Sequence, residues 1–570
     1  MEIEQDLPQP NDAFLQQYWN GREALVEQER AQRSDYAFRQ SLTPLAAEAC
    51  AIVARIRAEE QRTLWRNNND DKFSRVKEMK HHPGMVYRLA RERMRTAKLW
   101  QIVRKMPKGA LLHCHFDAMI DVDWLVDRAL ATEGFTIVAD QSMCAPEARR
   151  VGSFRFQYSK RSVADATSIW DQNYQAKQLV PLQLMAKTFP EGGLDGFKAW
   201  LRERCTITLE ESLESHLGQD AMWVKFVSCF PILNSMLSYE PIFRASMQRL
   251  LHELMDDGIR WVDLRIAFVF QYQRENCEEP ETGYHEFFRA FGEEVEKFQA
   301  TSEGKNFWGS RFIWTTLRSF ERREIMESMK QCISVKRAYP DLVAGFDVVG
   351  QEEMGRSLAD LTPEFFWFRK KCIENGVEIP FFFHAGECLG DGDETDHNLF
   401  DAILLGTRRI GHGFSLYKHP LLIELVKQKK IPLEVCPISN EVLRLTSSIK
   451  SHPAPALLSR GVDVALCSDD TAILGHGMNG LTPDFWQALQ GWANLGLEGL
   501  GSLAYNSVRY AAYAPDQTAQ EWNKDIKDGV FGDGIRAARL REWTSEWNKF
   551  CEWIVMDYAA DYGSDAELEV

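Results

Sequence analysis

The sequence predicts an α/β protein, a (β/α)8 barrel with an N-terminal helical extension and an insertion after its first strand. Two observations carry that expectation. From about residue 108 onward, eight short runs rich in Val, Ile, Leu and Phe alternate with stretches of helical periodicity, the pattern of parallel strands covered by helices. Histidines and carboxylates then stand at the ends of several runs, where a barrel of this kind presents its reactive groups.

In chain order, the first hundred residues predict helix and no strand. Thr43 suits an N-cap and Pro44 the first helical position of an Ala-rich helix over 45–58, with Leu45, Ile52, Val53 and Ile56 on one apolar face. A second helix is expected over 85–103. Residues 1–105 form this extension, with a packing layer and a dimerisation arm as its two open roles. The eight runs are 110–115, 261–267, 311–317, 343–349, 380–385, 408–412, 431–436 and 462–468. Helical patterns lie between them, at 401–405 and 421–427, and Tyr417 to Pro420 is expected to start the second of these. The interval between the first two runs is far longer than one β-α link needs. It therefore holds an insertion, placed at about 134–216, whose internal structure the pattern leaves unassigned. The barrel domain is assigned to 106–545, and 546–570 to a helix end followed, after Tyr558, by a solvated tail.

The net charge of −16, from 67 basic and 83 acidic residues, argues against nucleic-acid partners, which need a basic face to replace phosphate counterions. A small-molecule substrate fits better. No apolar run is long enough for a transmembrane helix, and the acidic N-terminus lacks an apolar leader core. The twelve cysteines form no C-x-x-C pair, and Cys114, Cys436 and Cys467 sit inside apolar runs, as reduced intracellular thiols do. A cytoplasmic protein without membrane partners is expected.

The first run ends His113-Cys114-His115. Side chains alternate faces along a strand, so the two imidazoles point the same way and offer two nitrogens to one ion. The fifth run ends His384-Ala385-Gly386-Glu387 after three phenylalanines, a place where a histidine and a carboxylate are costly to bury without partners. The sixth ends in His412 between Gly411 and Gly413, and the eighth in Asp469-Asp470, adjacent carboxylates that face different ways and so suit different roles. Three histidines and one aspartate suit zinc with a position left for water. Glu387, His412 and Asp470 remain for acid-base work.

These stretches resemble, in order, the motifs of the adenosine deaminase family: MPKGALLHCHFD at 106–117, HAGE at 384–387, IGHG at 410–413 and SDD at 468–470. More narrowly the chain is similar to the growth-factor-type members, through WVKF at 223–226, VAGFDVVGQE at 343–352 and EVCPISN at 434–440. The resemblance implies one zinc ion held by His113, His115, His384 and Asp469, and hydrolytic deamination of adenosine or 2′-deoxyadenosine to an inosine and ammonia. It implies that Glu387 protonates N1 of the purine, that His412 helps deprotonate the water and stabilises the adding oxygen, and that Asp470 bonds N7. Gly350 would face N3 through its amide, and Asp117 and Trp223 would lie on the ribose side. A homodimer is the expected assembly.

The alternatives are a deaminase of adenine nucleotides such as AMP, a binuclear amidohydrolase, which would need a bridging Lys or Glu where the fourth run ends Asp347-Val-Val-Gly350, and a non-catalytic relative, which would have lost a ligand or Glu387. A family histidine expected after the second strand is replaced by Phe270-Gln-Tyr-Gln-Arg274, and Thr471 stands where proline is frequent. Arg274 is assigned to the surface rather than to a 5′-phosphate. His81, His82, His216, His252, His285, His397, His419, His452 and His476 are all expected in surface or capping roles.

Overall fold

The apolar runs form two four-stranded sheets in a computed structural model that describes residues 7–65, 82–160, 167–214, 218–390 and 392–563. In chain order the strands are β1 (Gly109–His115), β2 (Phe135–Ala139), β3 (Phe154–Tyr158), β4 (Val180–Pro181), β5 (Ile259–Ala267), β6 (Gly309–Leu317), β7 (Val343–Val349), β8 (His384–Ala385), β9 (Ile410–His412), β10 (Leu433–Val435) and β11 (Val464–Leu466). One sheet has the order β1-β5-β6-β7 and the other β11-β10-β9-β8. Every pairing in both is parallel. Isolated parallel bridges join the two sheets at Phe346 with Phe381 and at Cys114 with Asp469. The second bridge sets the tip of β1 against the residues that follow β11. β1 and β7 are buried along their whole length, as expected for strands covered on both faces.

The run 380–385 pairs as a strand only at its last two residues. Pro380 has no N–H to give a ladder, and Phe381 pairs only through its isolated bridge with Phe346. The start of the helix after β9 also differs from expectation. Tyr417 and Lys418 belong to a 3-10 turn, Phe414–Lys418, and the α-helix begins at Pro420.

The insertion contains a three-stranded antiparallel sheet, order β3-β2-β4. Along β3 the sequence FRFQY alternates, so Phe154, Phe156 and Tyr158 are buried while Arg155 is exposed. The helix Gly218–Leu237 follows and packs on β3. Ser235 Oγ accepts from the Phe156 N–H at 3.0 Å, and this contact carries the inserted sheet to the mouth of the site.

In the extension, Thr43 caps the helix Pro44–Thr63 by accepting from Ala46 N–H at 3.2 Å. That helix buries Ala46, Ala49, Cys50, Ile52, Val53 and Ile56 against the C-terminal helix Ile535–Tyr562 and the helix Gly496–Tyr510. Leu45, expected on this face, is 40% exposed instead. The helix expected over 85–103 is two helices, Tyr87–Met94 and Lys98–Lys105, because Ala97 takes an extended conformation (ψ 141°) between them. The C-terminal helix runs unbroken through 545 and 546, and it continues past Tyr558 to the buried Tyr562. The expected solvated tail is therefore helix up to that point, and its remainder, 564–570, lies outside the described residues. Among the described residues no helix is long and apolar enough to cross a membrane.

Candidate active site

The ends of β1, β8 and β9 and the residues after β11 converge. The His113 ring centroid lies 5.5 Å from that of His115, 4.4 Å from that of His384 and 4.8 Å from that of His412. Asp469 Oδ1 stands 3.4 Å from His113 Nε2 and 3.5 Å from His115 Nε2. All four expected ligands are thus gathered, and all are buried. Asp469 (φ 57°) and His412 (φ 60°) both have left-handed backbone, uncommon for residues with a Cβ and concentrated at functional sites.

Glu434 Oε2 pairs with His113 Nδ1 at 2.7 Å, and Asp347 Oδ2 pairs with His384 Nδ1 at 2.6 Å. Each carboxylate fixes the proton on Nδ1 and leaves Nε2 as a lone pair. His113 Nε2 is buried without a hydrogen-bond partner, facing the Asp469 carboxylate with no proton to share. Two electron-rich groups in that position call for a cation, and three imidazoles with one carboxylate suit a zinc ion. Cys436 also lies within ligand distance of His113, His412 and Asp469. Burial pushes its thiol well above the ordinary range, which leaves it a poor competitor for the imidazole-carboxylate set.

The residues behind the ligands were not singled out for this role from the sequence. Arg265 donates to Glu434 Oε2 at 2.8 Å and to Asp347 Oδ2 at 3.1 Å. Arg409 donates to Glu434 Oε1, and to Asp263 Oδ2 at 2.9 Å. Burial alone would raise Glu434, but Arg265 and Arg409 outweigh it and hold it well below the ordinary carboxylate range. Burial likewise opposes His384 and Arg265 at Asp347, which is held down to about 2. A charged residue in the middle of an apolar strand, as in Leu433-Glu434-Val435, was the available signal, because such a charge needs a partner.

The acid-base candidates separate by environment. Burial, reinforced by Asp469, Glu352 and Glu353, pushes Glu387 well above the ordinary range, which favours its protonated form. Its N–H is fixed by Glu352 Oε1 at 2.8 Å, and its Oε1 lies 3.4 Å from His412 Nε2. Asp470 is also pushed well above, by burial and then by Asp469, and its Oδ1 has no hydrogen-bond partner. Asp469, by contrast, lies well below the ordinary carboxylate range despite its burial. The two neighbouring carboxyls are therefore shifted in opposite directions.

A cavity of about 740 Å³ opens over this cluster, and Asp117, Trp223, Gly350, Glu387, His412 and Asp470 all line it. Asp117 sits in the 3-10 turn after β1, where burial pushes it up to about 7. Asn234, which sequence reasoning missed, donates to Asp117 Oδ2 at 2.8 Å. Asp117 Oδ1 and the Trp223 indole nitrogen are buried without partners, leaving an acceptor and a donor for a ligand. From the insertion, Arg155, Phe156 and Gln157 complete the wall. Arg274 is half-exposed and ion-paired with Glu281, away from the cavity lining.

Of the remaining histidines, His82, His285 and His397 are exposed, His252 is half-exposed, and His419 pairs with Asp396 at 2.7 Å. His452 and His476 depart from expectation. Both are buried, His452 against Asn440 and His476 beside Asp484 at 3.3 Å, because tertiary packing covers loops that look exposed in sequence. His81 and His216 lie outside the described residues.

Residues 205–528 match the family described as adenosine deaminase. Adenosine deaminase 2-A of Danio rerio is 32% identical over 445 residues, covering 77% of this chain and 82% of that protein. Adenosine deaminase 2 of Sus scrofa is 31% identical over 470 residues, covering 82% of this chain and 83% of that protein. Among solved structures, an adenine deaminase from Arthrobacter aurescens aligns with a TM-score of 0.44 at 16% identity, over 75% of this chain and 100% of that one. With more than half of its length matched by one family and with relatives of this similarity, the chain belongs to the adenosine deaminase family.

Proposed function

We propose that the protein is a zinc-dependent hydrolase that deaminates adenosine and 2′-deoxyadenosine, releasing ammonia and the corresponding inosine. The observation that carries this reading is the juxtaposition of two features beneath one cavity: a buried histidine nitrogen without a hydrogen-bond partner 3.4 Å from an aspartate, and beside them a buried carboxyl whose protonated form is favoured. His113, His115, His384 and Asp469 would bind the metal. Zinc held there supplies Lewis-acid activation of a water, lowering its pKa from about 15.7 toward about 7.

Glu387, whose burial favours the protonated form, gives its proton to N1 of the purine and makes C6 electrophilic. It then moves a proton toward the departing amine. His412, 3.4 Å from Glu387 and 3.7 Å from Asp469, attends the oxygen as it adds to C6. Asp470, whose burial favours the protonated form, donates to N7, and the amide of Gly350 faces N3. Asp117, oriented by Asn234, and Trp223 take the ribose.

Among the described residues, Arg155 is the one guanidinium in the cavity lining, and Glu278 lines it too. That balance favours a nucleoside over a nucleotide. Zinc-loaded protein incubated with adenosine, 2′-deoxyadenosine, AMP and ATP should release ammonia fastest from the nucleosides. Faster release from AMP would overturn the substrate assignment.

The same reading takes the two parallel sheets as one closed eight-stranded barrel, supported by the bridges at both of their junctions. It keeps 1–105 as the extension and 134–216 as the insertion. The helix Ala13–Ala31 buries none of its residues and exposes Phe14, Tyr18 and Leu25, which supports a homodimer formed through this helix; sedimentation of the Phe14→Ser variant tests it, a dimer unaffected by the change counting against this contact. The free cysteines, ten of them buried, support an intracellular setting.

A further inference from the structure

Three hydrogen bonds run in series from His412 into the protein, away from the metal cluster. His412 Nδ1 meets Asn440 Nδ2 at 3.2 Å, Asn440 Oδ1 meets His452 Nε2 at 3.0 Å, and the Ala454 backbone N–H donates to His452 Nδ1 at 3.1 Å. All three side chains are buried. Phe414 stands edge-on to the His452 ring at 5.3 Å and Trp492 lies at 5.7 Å. Asn440 is held in the helix Pro437–Val442, its carbonyl accepting from Leu445 N–H at 2.9 Å.

The direction of this chain is set at its far end. A backbone N–H can only donate, so His452 Nδ1 must be a lone pair and its one proton must sit on Nε2. Burial, which pushes His452 down to about 3, agrees. His452 Nε2–H requires an acceptor, which identifies the facing Asn440 atom as Oδ1 and turns the amide NH2 toward His412. His412 Nδ1 must then accept. A neutral imidazole with a lone pair on Nδ1 carries its proton on Nε2. That nitrogen is the one 3.4 Å from Glu387 Oε1 and 3.7 Å from Asp469 Oδ2.

We propose that Asn440 and His452 are positioning residues, a relay that locks His412 in its Nε2–H tautomer so that it offers a hydrogen-bond donor, not a base, to the oxygen adding at C6. This deepens the deaminase reading and rests on it. It also divides the two tasks given to His412 in the sequence analysis: stabilising the oxygen remains with it, and the proton of the water goes to the Glu387 carboxylate, which has given its own proton to N1 and passes the new one to the departing amine.

The test combines turnover with spectroscopy on the full-length, zinc-loaded protein. In Asn440→Leu, kcat for adenosine should fall about 10- to 100-fold, the range for loss of an orienting partner, while KM stays within about threefold and zinc content is unchanged. His452→Leu should behave alike, and His452→Gln, whose amide can still donate to Asn440, should recover most of the loss. In 15N-histidine-labelled protein, long-range 1H-15N correlation should show His412 with a lone-pair Nδ1 and a protonated Nε2, and mixed tautomers in Asn440→Leu. Wild-type turnover in a folded, zinc-replete Asn440→Leu, or a His412 proton on Nδ1 in the wild type, would overturn the proposal. Should Asn440→Leu fail to fold, the wild-type spectrum decides alone. If the wild type deaminates no adenine nucleoside, it is the functional reading that fails, and the spectrum still tests the relay.

Discussion

Replacing Glu434 by Gln changes one buried charge and almost no volume, and its consequences can be worked through contact by contact. Glu434 accepts from His113 Nδ1, from Arg265 and from Arg409. Breaking a buried ion pair by removing one partner costs about 3–5 kcal/mol. Here each arginine keeps a second carboxylate, Asp347 for Arg265 and Asp263 for Arg409, so the loss should sit at the lower end, about 3 kcal/mol. The effect on the ligand is separate. A glutamine can turn either its oxygen or its NH2 toward His113, so the Nδ1 proton is no longer enforced and the lone pair on Nε2 is no longer guaranteed. Loss of such a supporting partner lowers metal affinity about 10- to 100-fold, equivalent to about 1.4–2.7 kcal/mol. Urea unfolding of metal-free protein should therefore show a drop of about 3 kcal/mol, and chelator competition a weaker zinc affinity by the stated factor. A variant that unfolds earlier yet binds zinc with wild-type affinity would refute the role of Glu434 in setting the His113 tautomer, leaving it a purely structural charge.

Glu387→Gln should retain zinc and lower kcat about 10²- to 10⁴-fold, measured as ammonia release beside metal analysis; near-normal turnover would remove Glu387 from proton transfer. Gly411→Ala places a methyl 3.0 Å from His113 Cε1 and 3.3 Å from the His384 backbone, so we expect about 1–3 kcal/mol of lost stability by chemical unfolding together with weakened zinc retention. Glu441 offers a pH test, since burial pushes it up to about 7 from an ordinary 4.5. The unfolded chain releases this proton near 4.5 and the folded chain near 7, so stability is full below 4.5, declines as pH rises through that window and is level above it. The gap corresponds to about 3 kcal/mol at 1.36 kcal/mol per pH unit. Glu441→Gln should erase this component between pH 4.5 and 8 in urea titrations, and an unchanged pH profile would show that the carboxyl ionises at its ordinary value.

The residues of the buried histidine-aspartate cluster were legible because two local rules sufficed for them. Parity along β1 puts His113 and His115 on one side, and the strand-end position of His384, His412 and Asp469 follows from the breaks in apolar patterning. The supporting charges obey no local rule. Asp347 and Glu434 lie 87 residues apart in sequence and become neighbours only because Arg265 spans two strands, a relation that no periodicity encodes. The inserted sheet was hidden for a related reason. Phe154 to Tyr158 alternates as a strand should, but its partner Phe135–Ala139 is apolar at four of its five positions and gives no period. His452 and His476 were assigned to the surface because burial of a loop depends on what packs over it. The break at Ala97 was missed because neither proline nor glycine marks it.

The cavity is assembled from parts with different histories of constraint. Its floor is made of groups held by paired charges in the centre of the two parallel sheets, where any exchange disturbs several partners at once. Its outer wall comes from Arg155, Phe156 and Gln157 on a strand whose backbone is secured by ladder bonds and by Ser235, not by these side chains. Exchanges at Arg155 or Gln157 can alter what the mouth admits without moving a ligand or an acid. Selection on substrate range can thus proceed independently of selection on the reaction, and the insertion is where divergence in specificity among proteins of this architecture should accumulate.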